Sequence, residues 1–145
     1  ALQNLAFNKA SNLSSTLPQT SANMAVDGIV STDFHDYSCA CTSVNPPEDR
    51  PYWYVDLDDM YDIYHVEFIN RGDCCPARLH DVEVTVAESN KNFTKTCGFF
   101  KGPGSASQTV LMPCPKGTRG RYVKLQIIEG RNNVLTLCEV KVIGK

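Results

Sequence analysis

Residues 52–57, Tyr52-Trp53-Tyr54-Val55-Asp56-Leu57, alternate between apolar and more polar side chains. Successive side chains of a β-strand point to opposite faces, so this period of two places every second residue on the same face. The apolar face consists of Trp53, Val55 and Leu57. The stretch therefore predicts a half-buried β-strand.

Five further stretches carry strand signals, with β-branched and aromatic residues in partial or complete alternation: residues 65–69, 82–86, 109–111, 122–127 and 137–142. Turn-forming residues separate them, at Pro46-Pro47, Asp58-Asp59, Gly102-Pro103-Gly104 and Lys116-Gly117-Thr118. Only residues 21–26 show a helical turn. Many short strands between turns predict an all-β antiparallel β-sandwich. Neither a linker nor an internal repeat divides the chain, so residues 1–145 are expected to form one domain.

Composition narrows the class of partner. The chain has 145 residues, a formal net charge of -2 and a pI of about 5.9. Without a basic bias, nucleic acid is not expected as the main partner. No run is apolar and long enough to span a membrane.

Seven cysteines are many for this length. Their spacing, C-x-C, then C-C, then three singles, lacks the paired C-x2-4-C pattern of zinc sites. A disulfide framework formed in an oxidising compartment is the better interpretation, and it predicts a secreted, extracellular protein. The sequons Asn12-Leu13-Ser14 and Asn92-Phe93-Thr94 agree with that location. Because seven is odd, one cysteine must be free, capped or bonded to another chain.

Residues 71–79, Arg71-Gly72-Asp73-Cys74-Cys75-Pro76-Ala77-Arg78-Leu79, place two adjacent cysteines between two arginines. If Cys74 and Cys75 bond to each other, they form a rigid sulfur face with a guanidinium on either side, which suits a sugar. Alternatively, each cysteine bonds to a distant partner and the arginines are ordinary surface residues. Ordinary disulfide geometry favours this second interpretation, because adjacent cysteines are too close together.

The whole set of motifs resembles the F-type lectins, the fucolectin family. The resemblance extends over nearly the whole chain and rests on Asn4–Ala6, Ala25–Gly28, Phe34–Cys39, Tyr52–Leu57, Arg71–Leu79, Gly120–Val123 and Leu137–Val140. It implies a discoidin-like jelly-roll sandwich that binds L-fucose, or fucose-containing glycans, in a shallow pocket at one end. It also favours the bond between Cys74 and Cys75.

The resemblance implies a role for each residue of the pocket. Two arginines would bond the hydroxyl groups, the vicinal disulfide would stack on ring carbons, and an aromatic pair would flank the methyl group. The carbohydrate-binding residues would be Arg71, Arg78, Cys74, Cys75, Phe34, His35 and Cys41. Asp73 is expected to orient an arginine through an ion pair.

Cys41 departs from the family pattern, which has a histidine at this position. A thiol is a weak donor and a weak acceptor. An unmade bond to a buried hydroxyl costs about 1–3 kcal/mol, or roughly tenfold to a hundredfold in affinity. The pocket would bind fucose weakly, prefer another sugar, or take the contact from another residue such as His35 or His80.

The resemblance further implies the disulfides and a metal. The pairs would be Cys74–Cys75, Cys39–Cys138 and Cys97–Cys114, which leaves Cys41 unpaired or linked to a second chain. A structural calcium ion would be bound by oxygen atoms, which calcium prefers. Its ligands would be the carboxylates of Asp27 and Glu139, the Ser38 hydroxyl, and the main-chain oxygens of Met24, Ile29 and Cys138.

Because shallow sites bind weakly, an oligomer or a polyvalent glycan is expected.

Two other functions compete with sugar binding. A discoidin-type adhesion module would bind phospholipid or protein, for example through Phe99 and Phe100 beside Lys101 in a loop. The double-cysteine motif argues against that role, so membrane contact is expected only through glycans. An enzyme is not expected, because the acidic turn at residues 58–62 assigns no acid and base, and no nucleophile motif is present.

Overall fold

A computed structural model describes all 145 residues and contains ten β-strands and three 3₁₀ turns, but no α-helix. The strands are β1 Gln3–Asn4, β2 Ser11–Leu13, β3 Ala40–Cys41, β4 Tyr52–Ile69, β5 Val82–Ala87, β6 Lys95–Phe100, β7 Thr109–Pro113, β8 Arg119–Ile127, β9 Thr136–Leu137 and β10 Glu139–Gly144. The turns are Ala22–Ala25, Phe34–Asp36 and Pro76–Arg78. No helix here combines the length and apolar character needed to cross a membrane.

Strand β4 takes part in both layers of the sandwich. Its first half pairs with β2 and β8, and β8 continues through β5 to β6. Its second half pairs with β10 and β7, and β10 also pairs with β1. All these pairings are antiparallel, which confirms the predicted antiparallel β-sandwich.

The sequence led us to expect two strands at 52–57 and 65–69, separated by a turn at Asp58-Asp59, and that expectation is wrong. β4 is one strand of 18 residues. Its pairing with β8 shifts register between Asp56 and Tyr61, and Asp58 has a φ of 74°. The Asp58 amide donates to Asp56 Oδ1 at 2.9 Å. This local bond gives the Asp58 amide a partner within the irregular stretch, and β4 pairs with β8 again at Tyr61.

The hydrophobic core lies between the layers. Trp53, Val55 and Leu57 have no exposed surface, as the alternation predicts. The indole Nε1 of Trp53 donates to the carbonyl oxygen of Ala22 at 3.0 Å, so the polar atom of this side chain is satisfied where the ring is buried. Burial of such an apolar side chain contributes about 1.5–3 kcal/mol.

A second pairing lies outside the two main layers. Residues 39–48 run antiparallel to residues 133–138, and we call this paired region the end ladder. It contains the Cys39–Cys138 disulfide, the β3–β9 pairs and a bridge between Glu48 and Asn133. The predicted strand at 137–142 is therefore divided at Cys138, because that residue turns towards Cys39.

The structure contains three disulfide bonds, Cys39–Cys138, Cys74–Cys75 and Cys97–Cys114. Cys41 is the only free cysteine, and it is buried. Two of the bonds close loops of very different length, 99 residues for Cys39–Cys138 and 17 residues for Cys97–Cys114. Since a crosslink restricts the unfolded chain more when its loop is longer, the bond in the end ladder should stabilise the fold more.

Replacement of Cys39 and Cys138 together by alanine is predicted to lower the free energy of unfolding by about 4–5 kcal/mol. The matched double replacement of Cys97 and Cys114 should cost about 3 kcal/mol, because its loop is shorter. Urea denaturation of both variants gives the two values. A larger loss from the Cys97–Cys114 pair would contradict the loop-length explanation.

Candidate functional site

The loop between β4 and β5 carries the two arginines and the vicinal disulfide. Cys75 adopts a left-handed conformation, with φ 60°, and precedes the 3₁₀ turn that contains Arg78. The buried side chain of Asn70 anchors this loop, because its Nδ2 donates to the carbonyl oxygens of Pro76 and Ser105, both at 3.0 Å. Because Asn70 directly follows β4 and Pro76 lies within the loop, the bond between them restricts the positions of the side chains at residues 71–75.

Arg71 is fixed by a bidentate ion pair. Its Nε and one terminal nitrogen donate to the two carboxylate oxygens of Asp73, each at 2.9 Å. The Arg71 hydrogen bonds hold the pKa of Asp73 far below its usual range. The guanidinium also lies 4.3 Å from the centre of the Phe34 ring. The expected ion pair is thus present, and the second terminal nitrogen of Arg71 forms no hydrogen bond.

Phe34 and His35 belong to a 3₁₀ turn that packs on the loop between β4 and β5, residues 70–81, which we call the signature loop. The Phe34 amide donates to Asp73 Oδ1 at 3.0 Å. Asp33 caps the turn by accepting from the His35 amide at 3.0 Å, and its Oδ1 lies 3.0 Å from His35 Nδ1. The His35 side chain is 81% exposed. Asp73 therefore connects the aromatic pair to Arg71.

Arg78 is the other arginine of the motif, and its guanidinium has no hydrogen bond or ion pair within the chain. Arginine is always charged and offers five N–H donors. A partly exposed guanidinium without an internal partner is available to a ligand.

Cys41 is fully buried, and its Sγ lies 3.3 Å from both Thr136 Oγ1 and the Thr42 carbonyl oxygen. Burial raises the pKa of the thiol; the Thr136 hydrogen bond and the charges of Arg78 and Arg71 oppose that rise. Both arginines are thus within electrostatic reach of Cys41. A disulfide from Cys41 to a second chain would require this side chain to become exposed, because it has no exposed surface in the structure.

The three histidines differ in whether their ring nitrogens have hydrogen-bond partners. His80 Nδ1 lies 2.8 Å from Asp81 Oδ2, and His80 Nε2 lies 2.9 Å from Asn133 Oδ1. Both ring nitrogens are therefore engaged, and His80 cannot supply a missing sugar contact without breaking a bond. His65 lies 3.3 Å from Glu67. His35 Nε2 and His65 Nδ1 have no partner, and of these two residues only His35 lies beside the motif at residues 71–79.

Glu139 is the feature that favours a cation site. It is fully buried, and the Gly28 amide donates to its Oε2 at 3.0 Å, whereas Oε1 has no hydrogen-bond partner. Burial raises the pKa of Glu139 to about 8; the Gly28 hydrogen bond opposes this rise, and the charge of Asp27 adds to it. An unpartnered buried carboxylate beside a second carboxylate gains stability from a cation.

The other predicted ligands are suited to the same ion. The main-chain oxygens of Met24, Ile29 and Cys138 accept no hydrogen bond from the chain. Ser38 is buried and donates to the Ser31 carbonyl oxygen at 2.7 Å, which leaves its oxygen lone pairs available. The Cys39–Cys138 bond fixes the residues before and after it, Ser38 and Glu139. This set of oxygen donors fits calcium.

A second group of potential ligands is a weaker candidate. Asp33, His35 and Asp73 bring three ligand atoms within 4.8 Å of one another. Asp73, however, already uses both oxygens on Arg71. A cation there would compete with that ion pair, so we place the candidate metal site at Glu139.

Sequence reasoning missed three residues that hold the site together. Thr136 contacts the Cys41 thiol, Asn70 anchors the signature loop, and Asn133 joins His80 to the end ladder. Thr136 and Asn133 both precede the predicted strand at 137–142. Their roles depend on pairing with residues 39–48, for which the sequence contains no strand signal.

The β-sandwich is of the galactose-binding-like class, because the "NedA-like, galactose-binding domain" family model matches residues 24–125. Fucolectin-1 of Anguilla japonica is 34% identical over 120 residues, which are 81% of this chain and 65% of that protein. The fucolectin of Anguilla anguilla is 33% identical over 124 residues, 83% of this chain and 75% of that protein.

Solved structures agree. An F-lectin (fucolectin) from the serum of Morone saxatilis superposes with a TM-score of 0.89 at 32% identity, over 99% of this chain and 49% of that chain. The lectin domain of lectinolysin, complexed with Lewis B antigen, has a TM-score of 0.85 at 30% identity, over 99% of this chain and 97% of that one. The chain thus spans about two thirds of Fucolectin-1 and half of the Morone protein.

The chain belongs to the fucolectin family of F-type lectins. The proteins that it resembles are lectins and carbohydrate-binding modules, so the prediction that it is not an enzyme is confirmed.

The structure corrects the expectation that a loop exposes two aromatic side chains. Residues 95–100 form strand β6, and only Phe99 is exposed, at 47%. Phe100 packs against the core, with its ring 6.1 Å from that of Phe68 at an angle of 86°. A single exposed ring on a strand offers little apolar surface for a membrane interface, so this feature no longer favours an adhesion module.

The stability of the calcium-free protein is predicted to fall between about pH 5 and pH 8. The pKa of Glu139 is about 8 in the folded chain against an ordinary value of 4.5, so the contribution is complete below the ordinary value and is lost as pH rises towards 8. In a chelator, the melting temperature should drop by roughly 10 °C over this range.

Two controls test the assignment to Glu139. Glu139→Gln should flatten the pH dependence, and added calcium should restore stability at about pH 8 in the parent chain but not in this variant. The carboxyls of Asp73 and Asp56, whose pKa values are lowered, titrate below this window. An equal calcium effect in both chains would place the ion elsewhere.

Proposed function

We propose that this chain is a lectin that binds L-fucose at the end of fucosylated glycans. The observation that carries the proposal is the pair of arginines on either side of the bonded Cys74 and Cys75, with the Arg78 guanidinium free of any partner in the chain. Relatives named fucolectin and a lectin domain complexed with Lewis B antigen support the same ligand.

The arginines supply the polar half of the site. Charged donors form stronger hydrogen bonds than neutral ones, and a guanidinium presents them in a fixed plane. Arg71 is held by Asp73 and keeps one terminal nitrogen for the sugar, whereas all the donors of Arg78 are free. The two side chains therefore differ: Arg71 is preoriented, and Arg78 can adjust to the hydroxyl groups that it meets.

The vicinal disulfide and Phe34 supply the apolar half. A deoxy sugar has a methyl group and C–H groups that gain from contact with a dry, rigid surface. Bonded Cys74 and Cys75 would cover the ring carbons, and Phe34, whose ring already stacks on Arg71, would flank the methyl group. His35 would add a polar atom at the outer edge, because its side chain is exposed.

Cys41 sets the strength of the site. Its thiol is fully buried and is a poor hydrogen-bond partner, so the contact that the family's histidine would make with the sugar is missing. Weak binding to each sugar follows, and multivalency, through a homo-oligomer or a polyvalent glycan, would provide the avidity. We expect the chain to act outside the cell, where its disulfides persist.

Calcium belongs to the framework rather than to the sugar contacts in this proposal. Asp27, Ser38 and Glu139, with the main-chain oxygens of Met24, Ile29 and Cys138, would hold it. Bound calcium would neutralise the carboxylates of Asp27 and of Glu139, the first residue of β10. The chain's own contribution is to fix Ser38 and Glu139 together through the neighbouring disulfide.

A glycan array with the calcium-loaded protein is predicted to show binding to fucose-terminated glycans. Arg78→Ala should lower the affinity for fucose by roughly tenfold to a hundredfold, because it removes charged hydrogen bonds. Arg119→Ala is the matched control, since Arg119 pairs with Asp62 instead. Binding to liposomes alone, with no glycan bound, would contradict the lectin assignment and favour adhesion.

Cys41→His is predicted to strengthen fucose binding by about tenfold, since an imidazole can form the hydrogen bond that a thiol cannot. Cys41→Ser, which keeps a small side chain, is the matched control and should change the affinity less. Titration calorimetry gives the affinities, and the melting temperature shows whether the buried position accepts the larger ring. If the histidine variant is fully stable and binds no better, Cys41 does not face the sugar.

A further inference from the structure

The two N-x-S/T sequons of the chain lie in different kinds of backbone. Asn12 lies on β2 and pairs in register with Tyr54 of β4, so its side chain points away from the core, opposite to the buried Trp53. Asn92 lies in the loop between β5 and β6, residues 88–94. Both asparagines are exposed, so the surrounding contacts decide which of them can serve as an acceptor for a glycan.

Phe93 anchors the loop between β5 and β6 on the outer face of the sheet. The centre of its ring lies 6.0 Å from that of Tyr54 and 6.4 Å from that of Tyr122. Aromatic rings at such separations attract each other beyond the effect of burial alone. The middle residue of the sequon is therefore packed on the sheet, whereas Asn92 and Thr94 on either side of it are exposed.

The sequon at Asn92 forms a tight turn. The Thr94 amide donates to the Asn92 carbonyl oxygen at 2.9 Å, which is the hydrogen bond of a three-residue turn. The Asn92 amide donates to Asn90 Oδ1 at 3.0 Å. Neither the side-chain amide of Asn92 nor the hydroxyl of Thr94 forms a hydrogen bond within the chain. The two side chains that define the sequon are thus close together and free to be recognised by another molecule.

The sequon at Asn12 is part of the framework instead. The hydroxyl of Ser14 accepts from the Tyr52 amide at 3.0 Å and donates to Glu48 Oε2 at 2.8 Å. This hydroxyl therefore holds the segment before β4 against β2. The backbone at Asn12 is extended and paired with β4, so this sequon cannot bend without breaking strand pairs.

We propose that Asn92 is an N-glycosylation site and that it is modified in preference to Asn12. The glycan donor is a lipid-linked oligosaccharide diphosphate. The side-chain nitrogen of Asn92 forms a bond to the anomeric carbon of the first sugar, and the bond from that carbon to the diphosphate oxygen breaks. The lipid diphosphate leaves with the bonding electron pair, and the amide nitrogen loses one proton. Acceptor sequons occupy surface loops of secreted proteins, as Asn92 does.

A glycan at Asn92 would lie far from the proposed sugar pocket. The signature loop directly precedes β5, and residues 88–94 directly follow it. Because β5 has six residues, these two loops are about 20 Å apart at about 3.3 Å per residue. The modification would therefore leave the arginines and the vicinal disulfide accessible. The inference does not depend on which ligand the pocket binds.

Secretion of the chain from animal cells behind a cleavable leader, followed by mass spectrometry, tests the proposal. Release of glycans by a peptide-N-glycosidase in heavy-oxygen water converts each glycosylated asparagine into labelled aspartate. Most of Asn92 should carry the label, and the occupancy of Asn12 should be severalfold lower. Thr94→Ala should abolish the label at Asn92, because it removes the sequon hydroxyl. Its melting temperature, measured after glycan release, should match that of the parent chain, because the Thr94 hydroxyl has no partner.

The two sequons also differ in their hydroxyl residue, so a chain that carries both Ser14→Thr and Thr94→Ser is the matched control. Both hydroxyls remain, and Asn92 should still be occupied more than Asn12, because the loop rather than the residue type decides. An unmodified Asn92 in the secreted chain would overturn the inference, and so would an occupancy of Asn12 equal to or above that of Asn92. Reversal of the order in the exchanged chain would also overturn it, since the preference would then follow threonine.

Discussion

The antiparallel pairing of residues 39–48 with residues 133–138 is the constraint on which the rest of the site depends. The Cys39–Cys138 bond closes this end ladder covalently, next to the candidate cation ligands Ser38 and Glu139 and two residues from Cys41. The same pairing continues to the bridge between Glu48 and Asn133, which joins the loop at residues 42–50 to the loop before β9. One short ladder therefore positions Ser38 and Glu139 of the candidate metal site and Cys41 of the candidate sugar site.

Two charged side chains near the end ladder have no partner of opposite charge within the chain, and each is a candidate to bind a ligand. Arg71 and Asp73 satisfy each other, so their positions are fixed by the chain itself. Arg78 has no such partner, and Glu139 keeps a buried oxygen without one. A guanidinium at the surface without an internal partner can donate hydrogen bonds to a ligand. A buried carboxylate oxygen without a partner is costly, and a bound cation would reduce that cost.

The sequence predicts what depends on local pattern. The alternation of Trp53, Val55 and Leu57 with more polar residues indicated a β-sandwich. The motif at residues 71–79 identified the two arginines and the resemblance to the family. Long-range pairing was not predictable in the same way. Nothing local marks residues 40–41 as a strand or Thr136 as the neighbour of Cys41, and the continuation of β4 through Asp58 depends on a side-chain bond that periodicity does not report.

A crystal structure of the calcium-loaded protein with methyl α-L-fucopyranoside would test the account most directly. The account predicts fucose between Arg71 and Arg78, with its ring carbons on bonded Cys74 and Cys75. Electron density that joins Cys74 and Cys75 to other cysteines, or that places the sugar away from both arginines, would contradict it.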